Sequence, residues 1–414
     1  MSSPRISDIT RIIGESADCI NLYFDQRIKR SKDIISWDTT TDGTYSKKTG
    51  LAEWAPSKDN DGLKQVKIGL ATDLRGVPIL FDLYPGSLSD VVLLKRFVNS
   101  VRVHGKDCLF VMDNGFESAG NVSSLLEDGV RFVMPADRAS KAVKRLLSEF
   151  LVRTDDVVDR VHDGHAYRVW ETELAVVSDS SRRTVDGGPA FTYLSVFDEG
   201  FFECKVRVAA FVCFDSKKCS DEEQALMVWL DLVEREVLGR VFKDPEQRFF
   251  EIAGGAAKYF DVVYDGGRVL LSRKRDILSF VHERAGLFVM LVSQGVCWDV
   301  MMDAYDARCL TEQVFDCCKN VLGGRRFRSG NLCSVRGRFF VKLVALVLRC
   351  EVVALLRELG LRGVTVDGVL RSMGNIRLIS YGGVRVVTEV TKKNRELYKV
   401  FDIDVPTAEN YTHI

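Results

Sequence analysis

At 414 residues, 46% of them apolar, the chain is long for one hydrophobic core and suits one to three globular domains. Its 58 basic and 58 acidic residues cancel, which argues against nucleic-acid binding over the whole surface but leaves room for local basic patches. Eleven cysteines with no CxxC pair and no zinc-type histidine spacing read as reduced, mostly buried thiols of an intracellular protein.

No cleavable signal opens the chain, and residues 1–32 read as a weakly amphipathic helical segment ending in basic residues. That segment is short for an ordinary DNA-binding domain. DIISWDTTT then reads as a strand holding Asp38, a residue type depleted in strands. Asp38 either caps the following TTDGTYS loop or has a function. The runs KIGLAT and VPILFDLY flank a turn from Asp73 to Gly76 and predict a hairpin, with Pro78 at an edge or strand start. A helix follows, with Ser87 and Asp90 as a capping box and Val91, Leu94, Val98 and Val101 as its buried stripe. CLFVMDNGF is a buried central strand closing on Asp113, SAGNVSSLLEDG a helix and RFVMPA another buried strand.

Three strands, a helix, a strand, a helix and a strand is the element order of an RNase H-like fold, an α/β mixed sheet flanked by helices. In that order the first and fourth strands are neighbours, which sets Asp38 beside Asp113. Two adjacent carboxylates repel unless a cation sits between them, and oxygen donors of this kind suit Mg²⁺ or Mn²⁺.

From about residue 140 the texture changes to aromatic and β-branched runs, interrupted by one clear helix opened at Ser220. It reads as a β-rich insertion. The strand LFVMLVS follows, then a helix from Trp298 to Lys319. At roughly 100° per residue, Tyr305, Arg308, Glu312 and Lys319 share an arc of about 60°, with Leu310, Val314, Cys317 and Cys318 gathered opposite as a buried stripe. That polar arc is either a solvated face of ion pairs or a functional one. Next comes the strongest cationic concentration in the chain, including Arg325, Arg326 and Arg328, either a solvated loop or a phosphate-binding segment. The stretch from Phe339 carries Lys342, Arg349, Glu351, Arg357 and Glu358, too many charges for a membrane span. The tail reads as a helix, a hairpin turning on Gly382 and Gly383, and a final helix. His162 and His165 in the turn VHDGH read as surface residues rather than metal ligands. The domain layout is then 1–32 helical, 33–140 RNase H-like core, 141–285 β-rich insertion, 286–360 core again and 361–414 helix-hairpin-helix.

These residues resemble a DDE transposase of the insertion-sequence type, in the group marked by a Tyr-x2-Arg-x3-Glu-x6-Lys signature, met here by Tyr305, Arg308, Glu312 and Lys319. Lys64, Gln65, Gly69, Asp73, Gly76, Pro78, Pro85, Gly86, Ser89 and Asp90 resemble the family's hairpin and following helix, and Asp113 with Gly115 its second catalytic segment. Asn114 stands where the family commonly has Arg, and Ser87 where it often has Asn. The resemblance implies a catalytic and metal-binding set of Asp38, Asp113 and Glu312 holding two Mg²⁺ or Mn²⁺ ions, with metal-dependent cleavage and strand transfer at the element's ends. It implies DNA-backbone contacts from Tyr305, Arg308 and Lys319, to which the phosphate-binding reading of the basic run adds Arg325, Arg326 and Arg328. It also implies double-stranded DNA as partner, a homodimer in the synaptic complex, no membrane, and a cytoplasmic, nucleoid-associated location. The rival expectation is a truncated, catalytically silent DNA-binding regulator of transposition; a further one is another RNase H-like nuclease.

Overall fold

The computed structural model describes residues 3–31, 33–46, 49–57, 62–102, 107–183, 189–275, 278, 284–323, 326–327, 331–361 and 363–410. The chain opens with helices α1 (Ser3–Glu15) and α2 (Ala17–Arg30), strands β1 (Ile34–Thr44), β2 (Lys64–Asp73) and β3 (Pro78–Pro85), and helix α3 (Asp90–Arg102). Then come β4 (Leu109–Met112), α4 (Ala119–Glu127), β5 (Arg131–Pro135), α5 (Lys141–Val152), β6 (Val157–His162), β7 (His165–Arg183), β8 (Pro189–Ser195) and β9 (Arg207–Asp215). Helices α6 (Ser216–Val237) and α7 (Pro245–Ala253) precede β10 (Phe260–Asp265), β11 (Arg268–Arg273), β12 (Leu287–Val292) and α8 (Trp298–Asp316). The last elements are β13 (Arg326–Phe327), α9 (Leu332–Glu358), α10 (Val366–Gly374), β14 (Leu378–Tyr381), β15 (Val384–Val387) and α11 (Lys392–Val400).

These elements form two compact units, the first made of 1–27, 40–86 and 310–414 and the second of 28–39 and 87–309. In the second unit the sheet runs β1-β4-β5-β12-β9-β7-β6, with β8 also on β7. β1, β4 and β5 are parallel, and β12 returns antiparallel between β5 and β9. Alternation along β1 separates its two faces. Ile35 and Trp37 are fully buried, and Trp37 stacks on Phe97 of α3 with ring centroids 3.7 Å apart. Ile34 instead packs into the core of Leu109, Val111, Val133, Met290 and Val292 that is closed by Trp298, Met301 and Met302 of α8. One face therefore belongs to α3, and the other to α8.

The region from 141 to 285 holds more helix than its composition suggests. α5 lays Ala142, Val143, Leu146, Leu147 and Phe150 inward, and α7 joins α6 and the β10–β11 hairpin in a separate apolar cluster. α6 starts at Ser216 rather than Ser220, because Asp215 caps it by accepting hydrogen bonds from the Lys217 and Lys218 backbone N–H groups.

In the first unit β2 pairs antiparallel with β3, and β13 pairs parallel with the end of β1, Gly43 opposite Arg326. β1 continues to Thr44, so TTDGT is strand rather than loop; its residues are buried, and Asp42 is only 1% exposed. α1 crosses α9 at backbone contact: a Cβ on Gly14 would lie 1.8 Å from the Cys333 carbonyl oxygen, and one on Gly337 1.8 Å from that of Thr10. Only glycine permits that approach. α2 packs Phe24 edge-on against Phe81 of β3, and its Arg27 reaches Glu351 of α9. Among the described residues no helix is long and apolar enough to cross a membrane, and the eleven cysteines form no disulfide.

Candidate active site

Asp38 and Asp113 meet through strand register. Trp37 of β1 lies opposite Met112 of β4 on adjacent parallel strands, so the two aspartates occupy the next matched positions. Each shares side-chain parity with residues facing α8, Asp38 with Ile34 and Asp113 with Leu109 and Val111. Adjacent strands lie about 4.8 Å apart, which places both carboxylates on one face at one end of the sheet. Asp38 does not cap a loop: it sits within the strand, its Oδ1 accepting from the Thr39 N–H at 2.6 Å. Asp113 follows β4 directly, and its Oδ1 accepts from the Asn114 N–H at 2.7 Å, opening a single 3₁₀ turn. Thr39 donates its hydroxyl to Asp90 of α3 at 2.7 Å, and a Cβ on Gly115 would come within 3.3 Å of that same carboxylate.

α8 adds the first two signature residues. The Arg308 guanidinium donates to Asp113 Oδ1 and lies over the Tyr305 ring, 5.3 Å from its centroid. Tyr305 in turn packs against the α8-side core. The expected division of this helix into a polar arc and an opposite apolar stripe holds only in part: Val314 and Cys318 are buried as expected. Met301, Ala304 and Ala307 are buried, Tyr305 and Arg308 are half-buried on the flank beside them, and Leu310 is only half-buried. The signature side faces the sheet because its cation pairs with a sheet carboxylate.

Glu312 is exposed and stands four residues beyond Arg308 on the same continuous helix. α8 ends at Asp316, and Cys317–Val321 forms a π-helical turn, so Lys319 leaves the α-helical register in which all four residues would align. Within the first unit, Lys319 Nζ donates to the Thr41 carbonyl at 2.9 Å and lies 3.8 Å from Asp42 Oδ1. Arg326 lies in β13, while Arg325 and Arg328 fall outside the described residues.

Several neighbours escaped sequence reasoning. Glu117, just after the turn that begins at Asp113, accepts from the Tyr193 hydroxyl at 2.5 Å. Burial pushes the Glu117 carboxyl up, with the Tyr193 hydrogen bond opposing, and burial beside Glu117 pushes Tyr193 up as well. Lys218 of α6 lies over the Phe288 ring at 4.7 Å, and Arg138, just after β5, donates to the Leu287 carbonyl at 3.0 Å. A lysine in the first turn of a helix was a readable signal, because cations are unfavourable there. His162 is not a plain surface residue: its Nε2 is 2.7 Å from Asp306 Oδ2, and with Asp163 these ligand atoms lie within 4.8 Å of one another. Asp306 is about 100° around α8 from Tyr305, away from the signature flank.

With this geometry in place, comparison with known families is decisive: residues 29–348 match the transposase DDE domain. The chain belongs to that family. Its large mixed sheet with flanking helices is consistent with the family's RNase H-like domain, and membership assigns transposition, with DNA as partner, in general terms. Transposases of this family generally use divalent metal ions. Among curated proteins no match is found.

Proposed function

We propose that this transposase cleaves DNA at the ends of an insertion sequence and joins the freed strand to target DNA, with Asp38, Asp113 and Glu312 as its catalytic carboxylates. The register that sets Asp38 beside Asp113 on the α8 face carries this reading. Glu312 joins them on the proposal because it rises one turn beyond Arg308, whose guanidinium holds Asp113. The donors are all hard carboxylate oxygens, which fit two Mg²⁺ or Mn²⁺ ions. When bound, such ions activate a water or a 3′-hydroxyl and stabilise the departing oxygen of an in-line displacement.

The chain's own residues do the positioning. Backbone N–H groups of Thr39 and Asn114 fix one oxygen of each aspartate. Arg308 orients Asp113, and with Tyr305 it offers a cation and a ring to the DNA backbone. Lys319 anchors the strand that follows Asp38 through the Thr41 carbonyl. On this proposal Lys319 acts through β1, while Arg325, Arg326 and Arg328 take phosphates. Synapsis of two inverted-repeat ends requires two copies of the chain, a homodimer acting at the nucleoid.

The test is cleavage of duplex DNA carrying the element's two ends, with Mg²⁺ or Mn²⁺, by the wild type and by Glu312→Gln. Metal-dependent nicking at the element boundary that disappears in the variant is the expected result. Binding without cleavage in both proteins overturns the catalytic reading in favour of a silent regulator of transposition.

A further inference from the structure

The face that carries Asp113 holds a second cation with no place in the mechanism above. Phe288, Met290 and Val292 of β12 point to the same side as Val111 and Val133, into the core closed by α8. Met290 pairs with Pro135, and Val133 pairs with Val111, so the start of β12 lies at the sheet end where β4 delivers Asp113. There, Lys218 sets its ammonium over the Phe288 ring at 4.7 Å. The lysine is half-buried. Among the described residues no carboxylate lies within ion-pair distance of its ammonium, and no acceptor receives a hydrogen bond from it.

The local charges make this placement costly. Lys218 stands in the first turn of a 22-residue helix, whose N-terminal end is already electropositive. Burial, and then the charges of Arg138 and Arg308, hold its ammonium below the ordinary lysine range, with Glu222 and Asp215 opposing. Glu222 lies one turn further along α6, but it is turned to Arg138, 3.1 Å away, and to the Gly286 N–H, 2.9 Å away. A cation kept half-dry above a ring, with no anion of its own among the described residues, is stabilised when an external anion arrives.

We propose that Lys218 binds a backbone phosphate of the DNA strand seated at the Asp38–Asp113 edge, making α6 part of the DNA-binding surface. This rests on the reading of that edge as the site of strand cleavage. Arg308 and Lys218 then flank the strand, one beside Asp113 and one beyond Pro135. Lys218 is a positioning residue: it holds DNA and touches no reacting atom.

The experiment compares the full chain with Lys218→Met and Lys218→Arg for binding to a linear duplex of mixed sequence over a range of salt concentrations. Ca²⁺ replaces Mg²⁺ so that no strand is cut. Methionine keeps the packing over Phe288, and thermal melting of each variant confirms that it is folded. One lost phosphate contact lowers the slope of log affinity against log salt by about 0.9 in Lys218→Met, and arginine restores it. Wild-type binding with an unchanged slope in Lys218→Met overturns this proposal alone. No binding by the wild type overturns the reading of the edge as a DNA site, and the role of Lys218 with it.

Discussion

β1 carries two aspartates four residues apart, and they are held in opposite ways. Asp42, in the first unit, is 1% exposed and lies 3.8 Å from the Lys319 ammonium, itself 11% exposed in its side chain. Asp38, in the second unit, is half-buried and sits one strand away from another carboxylate, Asp113, which Arg308 holds. Asp42 has a lysine of its own unit, so that pairing serves the fold. The second arrangement sets two carboxylates on neighbouring strands, which repel unless cations join them, and Arg308 pairs with one of the two. An acid matched inside the protein marks architecture, whereas acids set side by side mark a place built for something from outside.

Substitution at the two places should give opposite phenotypes. Asp113→Asn is expected to lower metal-dependent strand cleavage at least about 1,000-fold, equivalent to about 4 kcal/mol of transition-state stabilisation. Its melting temperature should change little, because relief of the repulsion on Asp38 offsets the loss of the Arg308 ion pair. Lys319→Met should do the reverse, destabilising the chain by about 3–5 kcal/mol because it breaks a buried ion pair and the bond to the Thr41 carbonyl. Adding Asp42→Asn should recover most of that loss, which thermal or denaturant melting of the single and double variants measures. If Lys319→Met melts like the wild type but binds DNA more weakly, the contrast breaks and Lys319 is a DNA contact.

The sequence carried the sheet half of this contrast well and the helix half less well. Asp38 and Asp113 stood out because acids are rare inside strands, and element order alone made their strands neighbours. Periodicity along and just after α8 places Val314 and Cys318 inside but not the flank that faces the sheet, since it counts apolar residues and cannot register a half-buried arginine whose partner lies on another strand. The π turn at Cys317–Val321 broke the four-residue alignment at Lys319, and no residue type announces such a turn. α5 was legible in principle: Ala142, Val143, Leu146, Leu147 and Phe150 keep helical spacing, masked by the β-branched texture after them. Asp42 passed as a turn residue because DGT ordinarily signals a turn, and its lysine lies far along the chain.

Glu117 sharpens the comparison as a third way of holding an acid, with a tyrosine in place of a cation. Its carboxylate accepts from the Tyr193 hydroxyl at 2.5 Å and from the Asp137 N–H at 3.3 Å. Burial raises its pKa above the ordinary glutamate value, and the Tyr193 hydrogen bond only partly offsets this. Between the unfolded and the raised folded pKa, the folded chain keeps a proton that the unfolded chain has lost. Stability therefore falls as pH rises through that window. Glu117→Gln keeps an acceptor for Tyr193 and cannot ionise, so it should lose this slope and gain on the wild type as pH climbs from about 4 towards neutrality. Melting temperatures of both proteins across that range decide it. Parallel curves would mean that Glu117 binds protons equally in the folded and unfolded chains, leaving the tyrosine with no more than an ordinary hydrogen bond.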